Sequence, residues 1–162
     1  MTCEAFRLGK DAKVYRNLVP YSTPTFTAAA NEVKIARDVT QNLDKGDFDG
    51  STRGTGGWRQ HAGTLKDASI DLEILYRPSD VHYEALLAAF LFDGCVELLI
   101  VSGPPTVIGA DGLWAEFTVT GFTRNEPLEE GLTVSVTLMP AISTNEPKWV
   151  KSNGAVFSVV TS

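Results

Sequence analysis

Between Asp38 and Tyr76 the chain reads as strand, long polar stretch, strand, and no other stretch constrains the fold as tightly. Asp38-Val39-Thr40-Gln41-Asn42-Leu43 has the β-branched, half-polar composition of a short strand. Further on, Ile70, Leu72, Ile74 and Tyr76 recur at period two with Asp71 and Glu73 between them, which predicts a strand with one buried and one wet face. The intervening segment is glycine-rich, carries charges of both signs, and has Phe48 and Trp58 as its large apolar groups before Arg59. Read as a loop over 44–64, it far exceeds the roughly 2–5 residues of an ordinary hairpin connection, and loops of that size are either functional or disordered.

The remaining elements follow from the same patterning. Residues 1–31 read as an N-terminal arm: a loose terminus, a short alternating strand at Ala12-Lys13-Val14-Tyr15-Arg16, then Pro20 and Pro24, which forbid a central strand. One helix is expected over 79–93, opened after Pro78 by Ser79 or Asp80 as cap and closed by Asp93-Gly94. Val81, Leu86, Leu87, Phe90 and Leu91 supply its apolar stripe. Strands are expected over 96–102, over 113–122 (Leu113, Ala115, Phe117 and Val119 inward) and over 132–138 (Leu132, Val134, Val136 and Leu138 inward). Residues 141–162 form a C-terminal extension ending in a hairpin about Asn153-Gly154. The expected fold is mainly β: one domain over 1–162, an antiparallel β-sandwich or barrel with one flanking α-helix and a long inter-strand loop.

Charge and composition exclude several functions. A net charge of −6 argues against a surface that grips nucleic acid, which needs clustered Lys and Arg. The charge is uneven: residues 1–60 carry nine Lys and Arg against seven Asp and Glu, residues 61–162 five against thirteen, a polarity that suits head-to-tail self-association. No apolar run approaches a membrane span, and the first residues lack a basic region followed by an apolar stretch, so a chain without membrane contact is expected, one that stays in the cytoplasm or leaves it only as part of something larger. Cys3 and Cys95 lack any C-x-x-C spacing, and Cys95 reads as a small core residue.

No catalytic or metal-binding set assembles. His61 lies in the glycine-rich stretch and His82 in the first turn of the expected helix, each without a carboxylate or cysteine at ligand spacing. Gly54-Thr55-Gly56-Gly57 lacks the order of a phosphate-binding loop, and Asp44, Asp47 and Asp49 lack the offsets of a calcium loop. No enzyme, metal or cofactor is expected. Trp58, Trp114 and Trp149 leave open a carbohydrate-stacking platform on a β-sandwich. What remains is a polar pattern on the wet sides of the strands: Asp71, Glu73, Glu116, Thr118, Thr133, Ser135 and Thr137. A broad surface of that kind suits the wall of a water-filled passage.

The order of these elements resembles the tail tube (major tail) proteins of long-tailed bacteriophages. The resemblance is carried by Arg37-Asp38-Val39-Thr40 leading to Lys45-Gly46, by Asp49-Gly50-Ser51-Thr52-Arg53-Gly54, Gly57-Trp58-Arg59 and Leu65-Lys66-Asp67-Ala68-Ser69-Ile70, and by Glu146-Pro147-Lys148-Trp149-Val150. It implies a structural virion protein whose hexameric rings stack head to tail into a tube that conducts DNA to the host without binding it specifically. Its partners would be itself and the tail proteins at the tube ends, and assembly would take place in the host bacterial cytoplasm. The related inner tubes of contractile tails and secretion machines share the fold and stand as the alternative. Carried onto this chain, the resemblance makes Asp44, Lys45, Asp47, Phe48, Asp49, Arg53, Trp58 and Arg59 the inter-subunit, ring-stacking loop. It makes the polar residues from Asp71 to Thr137 the candidates for the lumen wall.

Overall fold

Alternating sequences can hide their polar backbone only by pairing, and in this chain nearly all of them pair into one antiparallel sheet. The computed structural model describes residues 8–18 and 29–162. Its strands are β1 (Lys13–Arg16), β2 (Ala36–Asp49), β3 (His61–Leu75), β4 (Cys95–Val101), β5 (Asp111–Asn125), β6 (Thr133–Pro140), β7 (Lys148–Ser152) and β8 (Phe157–Val159), with one helix, α1 (Val81–Leu91). The sheet runs β1-β4-β5-β6-β3-β2, with β7 added on β5 and β8 on β7. This is a mainly β, antiparallel fold with a single flanking helix among the described residues, as the patterning predicts.

β5 is the hub. Its first half lies between β4 and β7, and its second half pairs with β6 after a register shift between Val119 and Gly121. An irregularity of this kind bends a strand and raises its twist, which allows one strand to serve two sets of neighbours. The main core lies on one face of the sheet, where Ile70, Leu72 and Ile74 of β3, Phe117 of β5 and Val134, Val136 and Leu138 of β6 meet Tyr83 and Leu86 of α1. A second, smaller core lies apart from it and gathers Tyr15, Leu99, Val101, Ala110, Trp114, Val150 and Phe157. The half-buried alternation expected for 113–122 therefore fails at its start, where Gly112, Leu113, Trp114 and Ala115 are all buried.

Of the other expectations, two are borne out and two are corrected. Of the two expected caps of α1 it is Asp80 that serves, its Oδ1 accepting from the backbone N–H of His82 at 2.9 Å and of Tyr83 at 3.2 Å. The buried stripe of α1 is His82, Tyr83, Leu86 and Ala89, while Val81, Phe90 and Leu91 of the expected stripe are exposed, because the helix is apolar on several sides and its periodicity selects no single face. Cys95 is exposed at the start of β4. The short strand expected at 12–16 is present as β1, paired with β4, its Val14 and Tyr15 buried, and Lys13 holds Glu32 at 3.0 Å; residues 1–7 and 19–28 of the expected arm lie outside the described residues.

The largest correction concerns 44–64. The β2–β3 ladder continues out to Asp49↔His61, so only 50–60 is connection, and 44–49 and 61–64 are paired strand. The reason is physical: from Leu43 to Asp67 almost every residue is exposed on both faces, so no hydrophobic alternation marks the strands, while the backbone still gains its hydrogen bonds by pairing. No helix among the described residues is long and apolar enough to cross a membrane.

Candidate functional site

The outer β2–β3 hairpin leaves the sheet as a two-stranded ribbon with a built tip. Gly50 N–H donates to the Gln60 carbonyl at 2.9 Å, Gln60 N–H to Ser51 Oγ at 2.8 Å, and Ser51 N–H to Asp49 Oδ1 at 2.9 Å. The hydrogen bonds from Ser51 hold the Asp49 carboxyl below its ordinary pKa. A 3-10 turn at Arg53–Thr55 follows, with Thr52 Oγ1 accepting from Gly54 N–H at 3.3 Å. Gly56 and Gly57 then reverse the chain at φ 65° and 84°, a region open to glycine at little cost. On this frame Phe48 is 62% and Trp58 80% exposed. Arg53 and Arg59 make no ion pair among the described residues, and His61 Nδ1 stands 2.9 Å from Asp47 Oδ2. Of the expected loop residues, Asp44, Lys45, Asp47, Phe48 and Asp49 lie on strand β2, and Arg53, Trp58 and Arg59 on the connection.

Strand register settles which wet residues share a face. Asp71 pairs with Thr137 and Glu73 with Ser135, and Thr133 follows at the same parity on β6. Thr118 pairs with Met139, two residues beyond Thr137, and Glu116 is two before Thr118. All the expected wall residues therefore lie on one face of one sheet. Thr137 Oγ1 donates to Asp71 Oδ1 at 3.2 Å, and the Ser143 hydroxyl donates to Glu116. The same face continues onto β2, where Asp38, Thr40 and Asn42 oppose Glu73, Asp71 and Ser69, and Asp44 opposes Asp67. Sequence reasoning missed Asp38 and Thr40 because the pairing of β2 with β3 that sets their face is not local, and Asp44 and Asp67 because it read 44–64 as loop and the strands as beginning or ending beside it; the period-two run Asp38, Thr40, Asn42, Asp44 was the signal available. Arg37 stands at the border of the acidic patch, 3.6 Å from Glu73.

Other candidates do not come together. Trp114 is 3% exposed with its indole N–H donating to Glu97 Oε1 at 2.7 Å, whereas Trp58 sits at the hairpin tip, so the three tryptophans share no platform. His61 and His82 are far apart in the fold: one lies on the ribbon, the other is buried at the start of α1. His82 Nδ1 accepts from Arg16 Nε at 3.0 Å, and its pKa is lowered first by burial and then by the Arg16 charge. No cluster of three His, Cys, Asp or Glu among the described residues could hold a metal ion.

No family model matches the sequence, and no curated protein does. Solved structures do match. The subunit of the tail of an empty gene transfer agent particle, refined with C6 symmetry, aligns over 96% of this chain and 100% of its own with a TM-score of 0.62 and 18% identity. The SPP1 tail tube, solved by solid-state NMR and cryo-EM, aligns over 82% of this chain and 74% of its own with a TM-score of 0.58 and 12% identity. A chain of the six-fold symmetrised anti-feeding prophage baseplate aligns over 88% and 92% at a TM-score of 0.52 and 8% identity. The chain shares the β-rich fold seen in these tail assemblies.

Proposed function

We propose that the chain is a structural tail tube subunit that forms hexameric rings stacked head to tail, with a lumen that carries DNA to the host. One observation carries the reading: the fold aligns with nearly the whole of this chain and all of a tail subunit from a C6-symmetric assembly. In this reading the face bearing Asp71, Glu73, Glu116, Thr118, Thr133, Ser135 and Thr137 lines the lumen, and Asp38, Asp44 and Asp67 extend it. Carboxylates and hydroxyls repel or ignore phosphate, so DNA slides without adhering. The β2–β3 ribbon, with Asp44, Lys45, Asp47, Phe48, Asp49, Arg53, Trp58 and Arg59, bridges subunits and rings. The protein performs no catalysis and takes no metal or cofactor; it assembles in the bacterial cytoplasm into the virion tail, capped by other tail proteins.

A sheathed tube, as in contractile tails or secretion machines, is the second reading. It is favoured by the apolar end of α1, where Leu91 is 59% and Phe92 80% exposed, a surface suited to an outer partner. Negative-stain electron microscopy across a concentration series, with sedimentation in parallel, tests the main reading. Hollow rings or tubes of uniform width are expected; a monomer at every concentration would refute it.

A further inference from the structure

The ribbon tip and the β5–β6 turn sit at opposite ends of β3. His61, the first residue of β3, adjoins the tip, while Leu75, the last, pairs with Thr133, which in turn pairs with Asn125 at the end of β5. At about 3.3 Å per residue, the length of β3 separates the two ends by roughly 50 Å. Their chemistry is complementary. The tip, 50–60, holds Arg53 and Arg59 and no acid, with Trp58 80% exposed. The turn, 126–132, holds Glu126, Glu129 and Glu130 and no base, with Leu128 99% exposed. Glu126 is held by Arg124 at 2.7 Å, while Glu129 and Glu130 make no ion pair among the described residues.

The geometry points to the β5–β6 turn as the acceptor for the ribbon tip of a second copy, with Arg53 and Arg59 facing Glu129 and Glu130 and Trp58 packing on Leu128. The inference rests on the tube reading and gives its stacking contact a receiving surface. A contact between two different surfaces at opposite ends of one molecule repeats without closing, which is what a filament requires. One tip on one turn is smaller than the roughly 1,000 Å² that a stable pair of proteins needs, so the contact operates when a ring presents several at once. Charge complementarity fixes which end meets which and suppresses tip-to-tip contact.

Charge reversal tests this. Arg53→Glu with Arg59→Glu, and separately Glu129→Lys with Glu130→Lys, are each expected to raise the concentration needed for tubes at least about tenfold while rings persist. Combining all four changes is expected to restore tubes of wild-type length. Unchanged tube length in either double variant, or no rescue in the combination, overturns the pairing while leaving the tube reading intact. A wild-type protein that never forms rings overturns both. Crosslinking guards against a folding artefact: Trp58→Cys with Leu128→Cys, the two positions in contact, is expected to yield disulfide-linked oligomers absent from the parent, and their absence also overturns the pairing.

Discussion

Replacing Gly112 by alanine tests whether β5 is the hub of the sheet. Gly112 is buried where β4 and β7 flank β5, paired with Val101 on one side and Val150 on the other. A Cβ there would overlap the Ile100 carbonyl oxygen and stand 2.7 Å from the Ile100 carbonyl carbon and from Val101 Cα. These are backbone atoms, so no side-chain rotation relieves the overlap, and moving β5 away from β4 presses it onto β7. Overpacking of a tight interior costs about 1–3 kcal/mol, and weakening two or so ladder hydrogen bonds adds about 1 kcal/mol each. The sum, roughly 3–5 kcal/mol, is a large share of the ~5–15 kcal/mol that holds a domain of this kind. At about 2–4 °C per kcal/mol for a chain of this size, the melting temperature should fall by roughly 6–20 °C. Circular dichroism melts read this directly, with Gly131→Ala as control, since nothing lies within 4 Å of a Cβ built at Gly131. A Gly112→Ala melt within about 2 °C of the parent would refute the packing argument.

Other perturbations act on separate parts of the molecule. Asp80→Ala removes the acceptor for His82 N–H and Tyr83 N–H and should cost about 1 kcal/mol in denaturant unfolding. His82 has a lowered pKa in the fold, so the unfolded chain binds its proton more readily, and the stability it contributes is present above the ordinary histidine range and declines as pH falls below about 6.5. The slope is at most about 1.4 kcal/mol per pH unit for one proton, and in melts between pH 7.5 and 5.5 it should flatten in His82→Gln. In hydrogen exchange, amides at 44–49 and 61–66 should exchange faster than those at 70–74 in the monomer and gain protection on assembly; equal protection in both states would contradict a stacking role for the ribbon.

The sequence disclosed those parts of the fold in which burial is one-sided. Ile70, Leu72 and Ile74, and likewise Val134, Val136 and Leu138, alternate because one face meets α1 and the other meets water, and the structure places each of them in the core. The pattern failed where burial is two-sided or absent. Trp114 sits on the parity of the wet residues Glu116 and Thr118, yet it is buried because the segment carrying Ala110, Val150 and Phe157 folds over it, a long-range event that local periodicity does not encode. The ribbon failed in the opposite sense: Lys45 to Asp49 pair with His61 to Lys66 although neither strand buries a face. The shared face of Asp71, Glu73, Thr133, Ser135 and Thr137 was legible, because parity along a strand is local; its extension through Asp38 depended on β2 pairing with β3, and through Asp44 on β2 running past Leu43.

The ribbon's charges run against the needs of an isolated hairpin. Asp38 lies directly opposite Glu73, Asp44 opposite Asp67, and Lys45 opposite Lys66. Like charges across a ladder destabilise it, by amounts of the order of 0.2–1 kcal/mol a pair. A chain selected only for the stability of the monomer would place opposite signs there, since the same positions with Asp facing Lys would gain a comparable amount. The arrangement instead gathers acids at 38, 44, 67, 71 and 73 on one side, with Lys45 and Lys66 on the other and Asp47 and Asp49 following Lys45 beyond the register shift. Such sorting weakens the ribbon as an isolated element and makes one face broadly acidic, with Arg37 reaching Asp38 and Glu73 at its border. A two-stranded ribbon with no packed face is marginal in water, so an acidic face of this extent has value chiefly where something outside the monomer answers it. In the tube reading the lumen answers the acidic face with repelled phosphate, and a neighbouring subunit answers the lysines. The cost in the monomer is then the counterpart of specificity in the assembly.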